Sequence, residues 1–281
     1  MRRWLKGHLG ERWRWRIHRL SRLRWITKAE LIRAAGLPIH RHLPYILFDP
    51  EVESYTYRIA NIEGTLAAIN EVTDVPLARL WSYVEEADHD PELSDRLARR
   101  LRWRFDVKRR PELGNRLAWY VLIRALRPEL VVETGIYQGL GSLVLLRALE
   151  RNRLGGTPGE LISFDRNEGA GWLVNDANRR HWLRVVGATT DTLEQTLRDR
   201  RVGAFFHDSD ISEDIQRLEF GAALANAAPT LLLVDGWGSQ TPVLEQLSAE
   251  HGANYRCVTL GAADHWYQRG ELAFALFRMA A

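Results

Sequence analysis

The chain has 281 residues, 46% of them apolar and 27% charged, which excludes wholesale disorder, collagen-like repeats and a disulfide scaffold, and suits one large domain or a domain with a sizeable appendage. With a single cysteine, Cys257, no charged-then-apolar leader and no run near the ~18 apolar residues of a membrane span, a reducing cytoplasmic setting is expected. The net charge of +3 is uneven: residues 1–50 hold 12 Lys and Arg against 3 Asp and Glu, so the remainder is acidic.

Residues 1–35 read as a helix, because Leu5, Leu9, Trp13, Ile17 and Leu20 recur at spacings of three or four, bordered by Arg12, Arg16, Arg19 and Arg24, before Gly36 and Pro38 end the pattern. Such a stripe suits packing on the acidic remainder of the same or a second subunit, as in a homodimer. It also suits an anionic membrane surface met through residues 1–25. Nucleic acid is disfavoured by the acidic remainder. The run from Leu43 to Ala60, rich in β-branched and aromatic residues around Asp49-Pro50, predicts a short hairpin or extended arm. Pro76 opens a helical LARLWSYVEEA, and Pro91 with Ser94 precedes a second helical stretch, LSDRLARRLRWRF.

Beyond Pro111 helical patterns alternate with short apolar runs. Helix 116–126 precedes strand 130–134, helix 141–151 precedes strand 161–165, and helix 175–181 precedes strand 183–187; helix 190–200 then leads to strand 204–208 and helix 212–227 to strand 231–235. The alternation predicts an α/β fold with a doubly wound, mostly parallel sheet covered on both faces. A helix near 241–251 follows, and YRCVTL and LAFALFRM, joined by a polar loop, complete a seven-stranded sheet as an antiparallel hairpin. The chain thus divides into a basic, mainly helical region over 1–111 and an α/β domain over 112–281.

In such a sheet ligands bind beyond the carboxyl ends of the strands. The first strand ends Glu133-Thr134-Gly135-Ile136-Tyr137-Gln138-Gly139, where two glycines four apart permit a tight turn and close backbone approach to a ligand ahead of a helix. The second strand ends at Asp165, some thirty residues after the turn, placed for a carboxylate to accept the hydroxyls of an adenosine ribose. Dinucleotide dehydrogenases share that carboxylate but favour G-x-G-x-x-G. With Tyr137 between Gly135 and Gly139, a pyrophosphate is poorly accommodated.

The ordered set VVETGIYQGLGS, LISFD, GWLVND, VVGATTDTL, FFHDSD and LLLVDG resembles the class I S-adenosylmethionine-dependent methyltransferases, with their Rossmann-like fold, and in particular the branch that includes macrocin-type O-methyltransferases. The resemblance implies S-adenosylmethionine as cofactor, with Glu133, Thr134, Gly135 and Gly139 facing its methionine part. Ser142 would hold the methionine carboxylate, Asp165 the ribose, and Arg166 would flank the adenine. Ala188 stands where the family usually has an acid beside the adenine amino group, and Thr189 is the candidate substitute.

The resemblance also implies that Asp208, with His207 and Asp235 beside it, is base or metal ligand. Mg²⁺ would then be held by Asp208 and Asp235, joined by Asp210. A structural alternative has Asp208 capping the following helix. Two departures bear on this end of the sheet: Ile211 replaces a histidine, and Gly236 replaces the second of two consecutive acids. Trp172 would border the cofactor or pin its loop, while His265 and Trp266 would overhang the acceptor site or be plain surface. Tyr45, Tyr55 and Tyr57 would line an acceptor pocket or pack the appendage.

The expected activity is methyl transfer to an oxygen of a small-molecule acceptor. The alternative is a catalytically degenerate binding or scaffold subunit, favoured by Ala188, Ile211 and Gly236.

Overall fold

The computed structural model describes residues 58–98, 112–209, 212–225, 229–236, 242–261 and 268–278. The expected leader helix, the arm up to residue 57, the tyrosines Tyr45, Tyr55 and Tyr57, the loop with His265 and Trp266, and Asp210 and Ile211 lie outside these residues.

The first helix, α1 (Ile62–Thr73), is one that the sequence pattern did not reveal: its β-branched Thr65, Ile69 and Val72 favour extended structure, yet they share one buried helical face with Leu66. Asn61 caps it by accepting from Gly64 N–H, and Asp74 ends it in the left-handed region. Helix α2 (Leu77–Asp88) starts behind Pro76 as expected. After Pro91 the chain makes a single wide helical turn over Glu92–Arg96.

The α/β core then runs α3 (Arg116–Leu126), β1 (Leu130–Thr134), α4 (Leu140–Leu154), β2 (Glu160–Asp165), β3 (Trp182–Val186), α5 (Thr189–Leu197), β4 (Ala204–His207), α6 (Glu213–Leu224), β5 (Thr230–Gly236), α7 (Pro242–His251), β6 (Asn254–Gly261) and β7 (Gln268–Phe277). The helix expected over 175–181 is a short 3₁₀ segment, Asp176–His181, and that expected to reach residue 200 ends at Leu197. Strand order is β3-β2-β1-β4-β5-β7-β6, with β7 antiparallel to both neighbours and the other pairings parallel.

The unbroken apolar runs arise because both faces of the central strands are covered. In β4, Phe206 packs with α1 to α4 on one side and Phe205 with α5 to α7 on the other. The Trp119 and Phe206 ring centroids lie 4.8 Å apart, and Phe205 meets Phe220 edge-on at 5.9 Å. Residues from Ile59 to Leu97 belong to the same core cluster as Trp119, Leu145 and Phe206, so the helices ahead of residue 112 help build this core.

Buried ion pairs fasten those helices. Asp90, wholly buried, accepts from Arg147 at 2.8 Å and Arg151 at 3.2 Å, both on α4. Burial pushes its carboxyl up, but these guanidinium groups and the Glu92 N–H outweigh that and hold it below the ordinary range. Glu86 of α2 likewise receives Arg124 and the Tyr120 hydroxyl of α3, each at 2.6 Å. Among the described residues no helix is long and apolar enough to cross a membrane.

Candidate active site

The chain leaves β1 in opposite directions, to β2 on one side and β4 on the other, and thereby opens a crevice at their carboxyl ends. The turn from β1 into α4 edges it. Gly135 and Gly139 have φ of +89° and +90°, in the region that favours glycine. A Cβ on Gly135 would stand 2.0 Å from the Asp208 carbonyl oxygen, and one on Gly139 would stand 2.7 Å from the Gly171 Cα. Both glycines are therefore required by close backbone approach as well as by φ.

Asp165 reaches back to this turn. One carboxylate oxygen accepts from the N–H groups of Ile136 at 3.0 Å and Tyr137 at 2.9 Å, and the other accepts from Asn167 N–H at 2.8 Å. The segment after β2 clasps the turn from outside, with Gly171 N–H donating to the Tyr137 carbonyl and Leu173 N–H to that of Gln138. The backbone of this segment pins the turn, and the Trp172 side chain between is exposed.

A cavity of about 290 Å³ lies at these strand ends. Five residues singled out in the sequence line it: Thr134, Gly135, Asp165, Arg166 and Thr189. Phe164, Gly187, Ser209 and Ile215 complete the wall. Ile215 was missed because it belongs to a helix whose pattern reads as ordinary amphipathic packing. Ala188 sits just ahead of α5, where its carbonyl accepts from the Thr192 hydroxyl.

Glu133 and Ser142 lie beneath the turn. The Glu133 carboxylate, fully buried, accepts from Ser142 at 2.5 Å and Ser163 at 2.7 Å, and Ser163 in turn accepts from the Trp182 indole N–H. Burial pushes the Glu133 carboxyl up to about 7 against the opposing pull of the two hydroxyls and Arg116. This network joins β1, β2, β3 and α4 under the crevice. It braces the loop that the glycines shape.

His207 is equally enclosed. Its Nδ1 lies 2.7 Å from Glu219 of α6, which also accepts from the Thr134 hydroxyl at 2.9 Å, and both His207 and Glu219 are buried. The ring stands edge-on to Phe220 at 5.9 Å and is not part of the cavity wall.

Asp208 and Asp235, from the ends of β4 and β5, are brought together by a residue that the sequence pattern did not single out. Arg116, the first residue of α3, donates from one nitrogen to Asp208 at 2.5 Å and from the other to Asp235 at 2.6 Å. Asn115 supplies its amide nitrogen within 2.6 Å of both Asp235 oxygens. Burial pushes the Asp235 carboxyl up while Arg116 and Asn115 pull against it. No sequence motif announces this contact, since α3 lies some 90 to 120 residues upstream. Among the described residues no group of three His, Cys, Asp or Glu side chains is disposed to hold a metal ion. Among the described residues the donor set at these strand ends, with a guanidinium between two carboxylates, does not fit Mg²⁺.

The strand order and the β1 turn define a class I methyltransferase fold of the Rossmann-like type. Residues 132–237 match the family model of a methyltransferase domain. No curated protein matches the chain. Similar solved structures include the O-methyltransferase TomG from Streptomyces achromogenes, involved in tomaymycin synthesis and in complex with SAM, at 16% identity over 68% of this chain and 91% of that one, with a TM-score of 0.48. The O-methyltransferase from Bacillus cereus in complex with SAH is similar at 13% identity, 56% and 78% coverage and a TM-score of 0.43. An rRNA methylase from Streptococcus thermophilus is similar at 9% identity, 57% and 95% coverage and a TM-score of 0.42.

Proposed function

We propose that the protein transfers a methyl group from S-adenosylmethionine to an oxygen of a small-molecule acceptor. The observation that carries this reading is the cavity edged by Gly135, Asp165, Arg166 and Thr189 within the methyltransferase-like stretch. The cofactor supplies a methyl group on a positively charged sulfur, open to direct displacement by a nucleophile. The Gly135–Gly139 turn would admit its methionine part by close backbone approach, and Asp165 would accept its ribose hydroxyls. Arg166 and Thr189, in the same wall, would flank the adenine.

On the acceptor side Asp208, partly exposed, is the carboxylate available to orient a hydroxyl and take its proton as the oxygen–methyl bond forms. Arg116 and Asn115 fix the carboxylates rather than activate them strongly, so positioning supplies most of the rate enhancement. Buried His207 faces Glu219 and lies outside the cavity wall, so it is given no part in this exchange.

Calorimetric titration with S-adenosylhomocysteine tests the reading. Binding by the wild-type protein is expected, and Asp165→Asn should weaken it about 10- to 100-fold, the value of a charge-assisted hydrogen bond. A folded wild-type protein that took up no ligand at millimolar concentration would refute it.

A further inference from the structure

We propose that Arg116 is the resident cation of this site: its guanidinium occupies the position between Asp208 and Asp235 that a divalent metal would need, and makes the chemistry metal-independent. The inference rests on the methyltransferase reading above and concerns its acceptor side.

The guanidinium is held on three sides. Two are the carboxylates, at 2.5 Å and 2.6 Å, and the third is the face of Trp119, whose ring centroid lies 4.5 Å from the Arg116 Cζ. Its side chain is 14% exposed and that of Asp235 6%, so this contact is shielded from the screening that weakens surface pairs. The residue cannot swing away cheaply, because the buried Asp235 carboxylate would lose its charged partner. Asn115 adds a neutral donor to both oxygens of Asp235, which directs toward protein donors the lone pairs that a metal would otherwise use.

Mg²⁺ needs oxygen ligands at about 2.0–2.1 Å in near-octahedral array. Here it would have to displace the guanidinium or sit against it and meet like-charge repulsion in a half-buried place. Arg116 thus acts as a positioning residue: it holds Asp208 at the mouth of the crevice and anchors it to Asp235 beneath.

Manganese(II), added to the full-length protein and followed by the electron paramagnetic resonance of the free ion, tests the proposal without an acceptor. Wild-type protein should leave the free-ion signal undiminished up to about 1 mM, the weak end of protein sites for such cations. Arg116→Met, which keeps the bulk and removes the charge, should bind manganese at least about tenfold more tightly than wild type, as expected when like-charge repulsion is relieved and two carboxylates are released. Asp208→Asn added to that variant should abolish the gain. Saturable binding by wild type that Asp208→Asn removes would overturn the proposal. So would a folded Arg116→Met protein with no gain.

If Arg116→Met does not fold, the wild-type titration with Asp208→Asn as control decides alone: an undiminished signal upholds the proposal and a saturable site lost in Asp208→Asn overturns it. S-adenosylhomocysteine calorimetry run in parallel separates the two failures. Lost cofactor binding by wild type would sink the methyltransferase reading while leaving the metal result interpretable.

Discussion

Replacing Glu133 by Gln should make the protein less sensitive to alkaline pH. Glu133 closes β1 with its carboxylate wholly buried and two serine hydroxyls donating to one oxygen, while the other oxygen lies against Gly141. Burial lifts its pKa from the ordinary 4.5 to about 7. The folded protein therefore keeps this proton over a range in which the unfolded chain has lost it. The resulting stabilisation is complete below pH ~4.5, declines as pH rises, and is gone above pH ~7, where folding must bury a charge.

At 1.36 kcal/mol per pKa unit the difference amounts to about 3 kcal/mol as an upper figure. Gln has the same shape, keeps a carbonyl oxygen for the Ser142 and Ser163 hydroxyls, and carries no charge at any pH. Urea unfolding of both proteins at pH 5 and pH 8 measures the effect. Between those pH values wild type should lose about 2–3 kcal/mol more than Glu133→Gln, with the variant the more stable at pH 8. Parallel losses in the two proteins would refute the reasoning, because they would mean that Glu133 is ionised in the fold or paired with a cation at no cost.

Gly135→Ala should be far more damaging than an ordinary glycine-to-alanine change. Its φ of +89° and a Cβ 2.0 Å from the Asp208 carbonyl force the turn apart, so a loss of about 2 kcal/mol or more in thermal unfolding and a fall in S-adenosylhomocysteine affinity are expected together. Asp90→Asn should cost about 3 kcal/mol in chemical unfolding, since it leaves Arg147 and Arg151 facing a neutral amide. In wild type that stabilisation is present above the unfolded carboxylate pKa of ~4 and is lost as pH falls through the lower folded value. Asp90→Asn should accordingly flatten the acid limb of the stability profile.

What was legible in the sequence follows from burial. Leu231 and Leu233 face one core cluster while Leu232 and Val234 face the other, so a central strand can hardly avoid reading as an unbroken apolar run. The glycine pair was equally open to reading, because φ near +90° and backbone contact leave few other residues admissible. Side-chain direction was not. Successive residues of a strand point to opposite faces. Thr134 thus reaches the cavity wall and Glu133 the serines of α4 and β2, although a motif presents them as one unit. Helix α1 was hidden for a different reason: the tertiary packing of Leu66, Ile69 and Val72 overrides the extended preference of its β-branched residues.

The acceptor side shows how a departure from a family pattern acquires meaning only in three dimensions. Taken singly, Gly236 in place of an acid is one of three departures, with Ala188 and Ile211, that favour the degenerate reading. In the fold it is the residue next to Asp235 on a buried strand, and the guanidinium of Arg116 from α3 bridges Asp235 and Asp208. Successive strand residues point to opposite faces, so a side chain at 236 would be turned away from the face on which Asp235 meets Arg116. The departure at 236 therefore leaves the Asp208–Arg116–Asp235 contact as it stands, and that contact is what the two strand ends share. Linear sequence separates Arg116 from Asp235 by 119 residues.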